Sequence, residues 1–201
     1  MGCGSKRCDR MGINIGYLTA NRTSSGDEVY TPFYAVEPLL EFLPKDKIIW
    51  CPFDEEWSAF YQLLTEKDFD VIRSSLKEGQ DFFEYQPENW DILVSNPPFS
   101  KKDDVLKRAF SFNKPFALLL PVNSIQGKAR YRIFNNEIQL LCFDSRVDYH
   151  TKENMQTTIK GNHFGSAYFC RDILPTKLEM RKLVKYERPL VKLSGGDEKW
   201  E

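Results

Sequence analysis

What most limits the folds open to this chain is a regular alternation of short apolar runs with segments of helical periodicity. Lys47–Cys51, Phe69–Ile72, Trp90–Ser95 and Pro115–Leu120 read as strands, the last apolar throughout and therefore buried on both faces. Between and after them, Glu56–Leu64, Lys101–Phe112 and Ser124–Phe134 carry apolar residues at helical spacing. A further helix is expected from Thr31-Pro32 through Ala35, Val36, Leu39, Leu40 and Leu43, since proline suits the first helical position. Glu137–Phe143 and Phe164–Cys170 supply two more strands, the last expected to run antiparallel. Strands and helices alternating in this way imply an α/β fold with a central, mostly parallel sheet and helices on both faces.

The flanks read differently. Residues 1–26 are rich in Gly, Ser, Asn and basic side chains without apolar periodicity, and are expected to form a flexible arm whose Lys6, Arg7, Arg10 and Arg22 either touch phosphate or are simply solvated. The ordered domain is expected over residues 27–174, with Asp144–Asn162 as a polar loop, and residues 175–201 as a short helix and a frayed polar tail. With 201 residues and a formal net charge of −1, the chain has room for one such domain, and contact with a polyanion must come from a local basic face. Candidates for that face are Lys101-Lys102, Arg130, Arg132, Arg146, Lys152 and Lys160, although exposed charges are more often a solvated face.

The five cysteines are scattered, and Cys51, Cys142 and Cys170 lie in apolar runs, a pattern suited to a reducing, cytoplasmic setting. Cys3 and Cys8 have no second Cys or His pair at ligand spacing, so no metal site is expected. No apolar run approaches the ~20 residues that span a membrane. The opening Met1-Gly2-Cys3 resembles a lipidation signal, but Lys6 stands where that signal needs Ser or Thr.

In open α/β sheets ligands bind beyond the carboxyl ends of the strands. That rule directs attention to Pro52-Phe53-Asp54, Ser74-Ser75, Asp81 and Asn96-Pro97-Pro98-Phe99. Adjacent prolines arise by chance at ~1 in 400 positions, and a flanking Asn and Phe make the tetrapeptide rarer. As an active site it fits methylation of an exocyclic amine. The lone pair of adenine N6 is delocalised into the ring, and two carbonyl acceptors on its hydrogens, from the Asn96 side chain and the Pro97 main chain, would localise that pair on nitrogen. Prolines fix φ and remove competing donors, and Phe99 offers a face on which an extruded base can stack. A sulfonium methyl donor needs no covalent nucleophile, so the cysteines need no catalytic role.

On these residues the sequence resembles the class I adenine-N6 DNA methyltransferases of the compact bacterial and bacteriophage type, over roughly residues 27–170. The resemblance implies a three-layer Rossmann-like fold, a mostly parallel seven-stranded sheet with one antiparallel strand, and S-adenosylmethionine as cofactor. It implies catalysis by Asn96, Pro97, Pro98 and Phe99 and cofactor binding by Tyr30, Thr31, Pro32, Pro52, Phe53, Asp54, Asp81 and Phe82. Phe99, Lys101 and Phe164 are implied at the substrate. The partner implied is DNA in a bacterial or phage-infected cell, with a homodimer or a separate specificity partner supplying target choice. RNA is the alternative polymer, and a catalytically silent nucleic-acid-binding module the alternative class. The chain departs from the family at its first cofactor loop, where Cys51 replaces an acid and Asp54-Glu55-Glu56 replaces a glycine pair, and after the second strand, where Arg73-Ser74-Ser75 replaces an acid.

Overall fold

Every residue of the strands Ile92–Ser95 (β4) and Phe116–Pro121 (β5) is buried, as continuous apolar runs require. The computed structural model describes residues 29–191; the expected N-terminal arm, Cys3 and Cys8, and the end of the polar tail lie outside the described residues. Around β4 and β5 lie Ile48–Cys51 (β2), Asp70–Arg73 (β3), Gln139–Phe143 (β6), Ser166–Arg171 (β9) and Leu178–Arg181 (β10), in a seven-stranded sheet of order β10-β6-β9-β5-β4-β2-β3. β9 runs antiparallel to both its neighbours and all other pairings are parallel. The three-layer Rossmann-like α/β fold expected from the sequence is therefore the one observed.

Period-2 alternation sorts the sheet's side chains into two cores. Ile49, Cys51, Ile92, Val94, Ala117, Leu119, Tyr168 and Cys170 face the helices Phe33–Leu40 (α1) and Ala59–Glu66 (α2). Trp50, Leu93, Phe116, Leu118, Leu120 and Phe169 face Lys102–Ser111 (α3) and Lys128–Phe134 (α4). The Trp50 indole, fully buried, donates to Ser74 Oγ at 2.9 Å and so links the ends of β2 and β3. Pro38 is tolerated inside α1 because the helix buries Phe33, Tyr34, Ala35, Val36 and Leu39, and packing outweighs one missing main-chain bond.

Three expectations are corrected. Asp144–Asn162 is not a loop: Tyr149–Thr151 (β7) and Asn154–Ile159 (β8) form a hairpin, and Val29–Tyr30 (β1) pairs antiparallel with β7 to complete a second, three-stranded sheet. Every residue of β8 is half-buried or exposed, so the apolar alternation that announces a strand is absent. No helix follows Pro175 among the described residues; Leu178–Arg181 adds instead as β10 to the edge of β6, its Leu178 and Met180 largely exposed. The helix expected over 124–134 is split into a 3-10 turn at Val122–Ile125 and α4, because Gly127 takes φ 148° between them. No described helix is long and apolar enough to cross a membrane.

Leu93 lies fully buried in β4. Leu93→Ala should lower unfolding free energy by about 2–5 kcal/mol, against less than about 0.5 kcal/mol for the exposed Val184→Ala, both read by urea denaturation.

Candidate functional site

β2 pairs with β3 on one side and with β4 on the other, so the chain reverses its direction of winding at β2. Such a switch point opens a crevice between the carboxyl ends of the two diverging strands. A cleft of about 370 Å³ occupies it, lined among others by Tyr30, Thr31, Phe53, Asp54, Ser75, Asn96, Pro97 and Pro98. Segments far apart in sequence thus converge on one cavity of small-molecule size.

Asn96 follows β4 directly, and its Nδ2 donates to the Val29 carbonyl of β1 at 3.0 Å. A carbonyl can only accept, so the orientation of the amide is fixed by chemistry. The Asn96 Oδ1 then remains buried without a partner in the cleft wall, as do Thr31 Oγ1 and Ser75 Oγ. Buried polar atoms are nearly always paired. Three unpaired oxygens around one cleft are thus available to hydrogen-bond a bound ligand. Beyond Asn96 the Pro98 carbonyl accepts from Lys101 N at 3.1 Å, whereas no main-chain hydrogen bond of the described residues engages the Pro97 carbonyl. Phe99 starts a 3-10 turn and meets Phe164 edge-on, centroids 5.5 Å apart, and Tyr149 at 6.3 Å. Because β9 is reversed, Phe164 at its upstream end reaches the carboxyl edge of β4 and β5.

Asp54 stands in the cleft wall, buried, and accepts from Ser95 Oγ at 2.5 Å, which ties the loop after β2 to the last residue of β4. Burial pushes its carboxyl up to about 7, against the opposing effect of the Ser95 and Ser58 hydroxyls. Near neutral pH it exists in both forms, and a cationic ligand group would draw it to the carboxylate. Cys51, just before it, has its thiol held far above its ordinary range, first by burial and then by Asp54, so it is no nucleophile.

The remaining expected residues lie elsewhere. Pro32 is buried at the N-terminus of α1, where its carbonyl accepts from Ala35 N. Pro52 is buried behind the loop. Asp81 builds its own turn, its Oδ1 accepting from Phe83 N at 2.9 Å. Phe82 is a core residue between Trp50, Phe53 and Phe112. Lys101 lines a different cleft, together with Phe83. Of the basic candidates, Lys152 lines the main cleft from the turn of the hairpin, whereas Arg130 is engaged with Asp103 and with the carbonyls of Ser124 and Gln126. Arg73, at the position where the resemblance expects an acid, is neutralised by Glu56 and Glu78.

Sequence reasoning missed Trp57, which meets Tyr30 edge-on at 4.7 Å, and Ser58, Leu76, Lys77 and Leu190 in the cleft wall. Ser58, just ahead of α2, carried the one usable signal, a cap residue preceding an apolar helical run. Leu190 arrives through long-range packing that nothing local announces.

No family model and no curated protein sequence matches this chain. Among solved structures it is similar to a candidate class I S-adenosylmethionine-dependent methyltransferase from Listeria monocytogenes, at 14% identity and a TM-score of 0.47, over 85% of this chain and 71% of that one. The fold assignment above rests on strand order and register.

Asp54 also sets a pH dependence of stability. Its folded pKa lies above the unfolded value, so between pH ~4 and ~7 the native state holds a proton the unfolded chain has released, and stability falls as pH rises through that window. Urea midpoints measured from pH 4 to 8 should show this decline in the native sequence, and Asp54→Asn should flatten it; an unchanged slope in the variant would remove Asp54 as its source.

Proposed function

We propose that this protein transfers a methyl group from S-adenosylmethionine to N6 of adenine in DNA, after the base has left the helix. The observation that carries the reading is the Asn96 amide, locked by the Val29 carbonyl so that its own oxygen stays unpaired in a switch-point cleft that Pro97 also lines.

The cleft fits the cofactor's functional groups. Asp54 suits its ammonium, and the unpaired hydroxyls of Thr31 and Ser75 suit its hydroxyls and carboxylate. When bound, S-adenosylmethionine supplies a methyl group electrophilic enough to need no nucleophilic side chain. Asn96 Oδ1 and the Pro97 carbonyl each accept one hydrogen of N6, which favours a pyramidal nitrogen with its lone pair directed at the methyl carbon. The prolines hold these acceptors without main-chain donors of their own. Phe99, braced edge-on by Phe164 and Tyr149, gives the base a rigid apolar face. The nitrogen sheds its surplus proton to solvent after transfer.

Within this reading target choice is short, or comes from a second copy or a separate specificity partner, and the hairpin β7–β8 is the one described insertion beside the cleft. Asp54 filling the wall where the resemblance expects glycine favours the second reading, a silent nucleic-acid-binding module of the same fold.

Labelled methyl transfer to duplex DNA, single-stranded DNA and structured RNA, paired with calorimetric titration of S-adenosylmethionine, separates the readings. Asn96→Ala should reduce transfer roughly 10²–10³-fold, as loss of one preorganised polar contact does, with cofactor affinity nearly unchanged. Full turnover in that variant would remove the motif from the chemistry. Transfer to RNA alone would change the polymer, and absence of cofactor binding would establish the silent module.

A further inference from the structure

A second cleft, about 460 Å³, lies outside the candidate site and is lined by Phe83, Lys101, Asp104, Lys107, Arg108 and Ser111. Four of the five residues other than Phe83 belong to α3, and the fifth, Lys101, immediately precedes it. They fall on the side of the helix away from its buried Val105, Leu106 and Ala109. Three cations face a single acid. None of Lys101, Lys107 and Arg108 takes part in an ion pair among the described residues.

Arg108 is fixed rather than solvated. Its guanidinium lies over Phe82 at 5.6 Å and Phe112 at 5.0 Å, and its Nε is buried without a partner. Lys101 Nζ stands 5.6 Å from the centre of the Phe83 ring, which is partly exposed at the mouth. Arg108 also donates to the Tyr85 carbonyl at 3.4 Å, and a wall with three cations against one acid beside a flat aromatic face is complementary to an anionic chain carrying flat rings.

Its position relates it to the chemistry. Pro98 lines the first cleft and Lys101 the second, joined by one 3-10 turn, Phe99–Lys101. Phe53 of the first cleft meets Phe82 at 4.8 Å with its ring tilted, and Phe82 meets Phe83 of the second at 5.5 Å. Lys101, in the 3-10 turn, and Lys107, within α3, line the same cleft.

We propose that this cleft binds the single-stranded segment flanking the target base, with Lys101, Lys107 and Arg108 on its phosphates and Phe83 stacked on a neighbouring base. The inference rests on the reading of the substrate as nucleic acid. It places a strand-holding surface on the methyl-transfer domain itself.

The test uses the full chain and a fluorescently labelled 12-nucleotide single-stranded DNA, with anisotropy read from about 50 to 200 mM salt. The double variant Lys101→Gln, Lys107→Gln changes exposed side chains only. It should lower the slope of log affinity against log salt by about 1.4, two contacts at ~0.7 each on a single strand. Phe83→Ala should weaken binding by about 5- to 150-fold, the loss of one stacked base. Unchanged slope and affinity in the double variant would overturn the proposal, as would displacement of the oligonucleotide by micromolar adenosine monophosphate, which would make the cleft a mononucleotide site. Titrating S-adenosylmethionine into the same proteins keeps the two readings apart: normal cofactor binding with an unchanged salt slope sinks only the strand site, whereas no cofactor binding by the native chain sinks the proposed function.

Discussion

The hydrogen bond from the Asn96 amide to the Val29 carbonyl joins the three-stranded sheet to the end of β4 in the seven-stranded one, at the wall of the cleft. Val29 is held in turn by its pairing with Thr151 of the hairpin, so the carbonyl that orients Asn96 is itself fixed by secondary structure. One amide proton thereby determines which atom of Asn96 remains unpaired in the cleft wall. Turning the amide over would set two oxygens against each other in a poorly solvated place and leave a buried donor unsatisfied, which costs about 1–3 kcal/mol.

The Ser95–Asp54 contact has a complementary role on the other wall. It spans the gap that the switch in winding opens between β2 and β4, and burial keeps the carboxyl close to neutrality. A cleft built from strand ends alone would be held only by main-chain pairing further back. Here side-chain bonds on both sides of Asn96 define its width, while Trp50 and Ser74 fasten the third strand end from below.

Much of the fold was legible because its central strands are apolar on both faces and its helices on one. β2, β4 and β5 fall within a residue or two of their expected limits, and β9 has the expected reversed direction. The Asn-Pro-Pro-Phe tetrapeptide after β4 stood out in the sequence by its rarity, and its Asn96, Pro97 and Pro98 line the cleft. What stayed hidden depends on tertiary context. β8 and β10 sit at edges, where the outward face is polar or mixed, and β7, the middle strand of the small sheet, is only three residues long, so the strand signal fades. Phe82 and Asp81 looked like ligand contacts from their place in the chain, yet one fills the core and the other closes its own turn. Only folding shows which side of a loop is turned inward.

The reversed direction of β9 has an architectural consequence. In a parallel strand the segment that follows it reaches the cleft edge, whereas in β9 it is the segment before it, so the whole stretch from β6 to β9 emerges there. The β7–β8 hairpin occupies that stretch, and its tip at Lys152 and Glu153 projects from a small sheet rather than from the central one. Length inserted at this tip would extend over the mouth of the cavity without altering any layer of the interior.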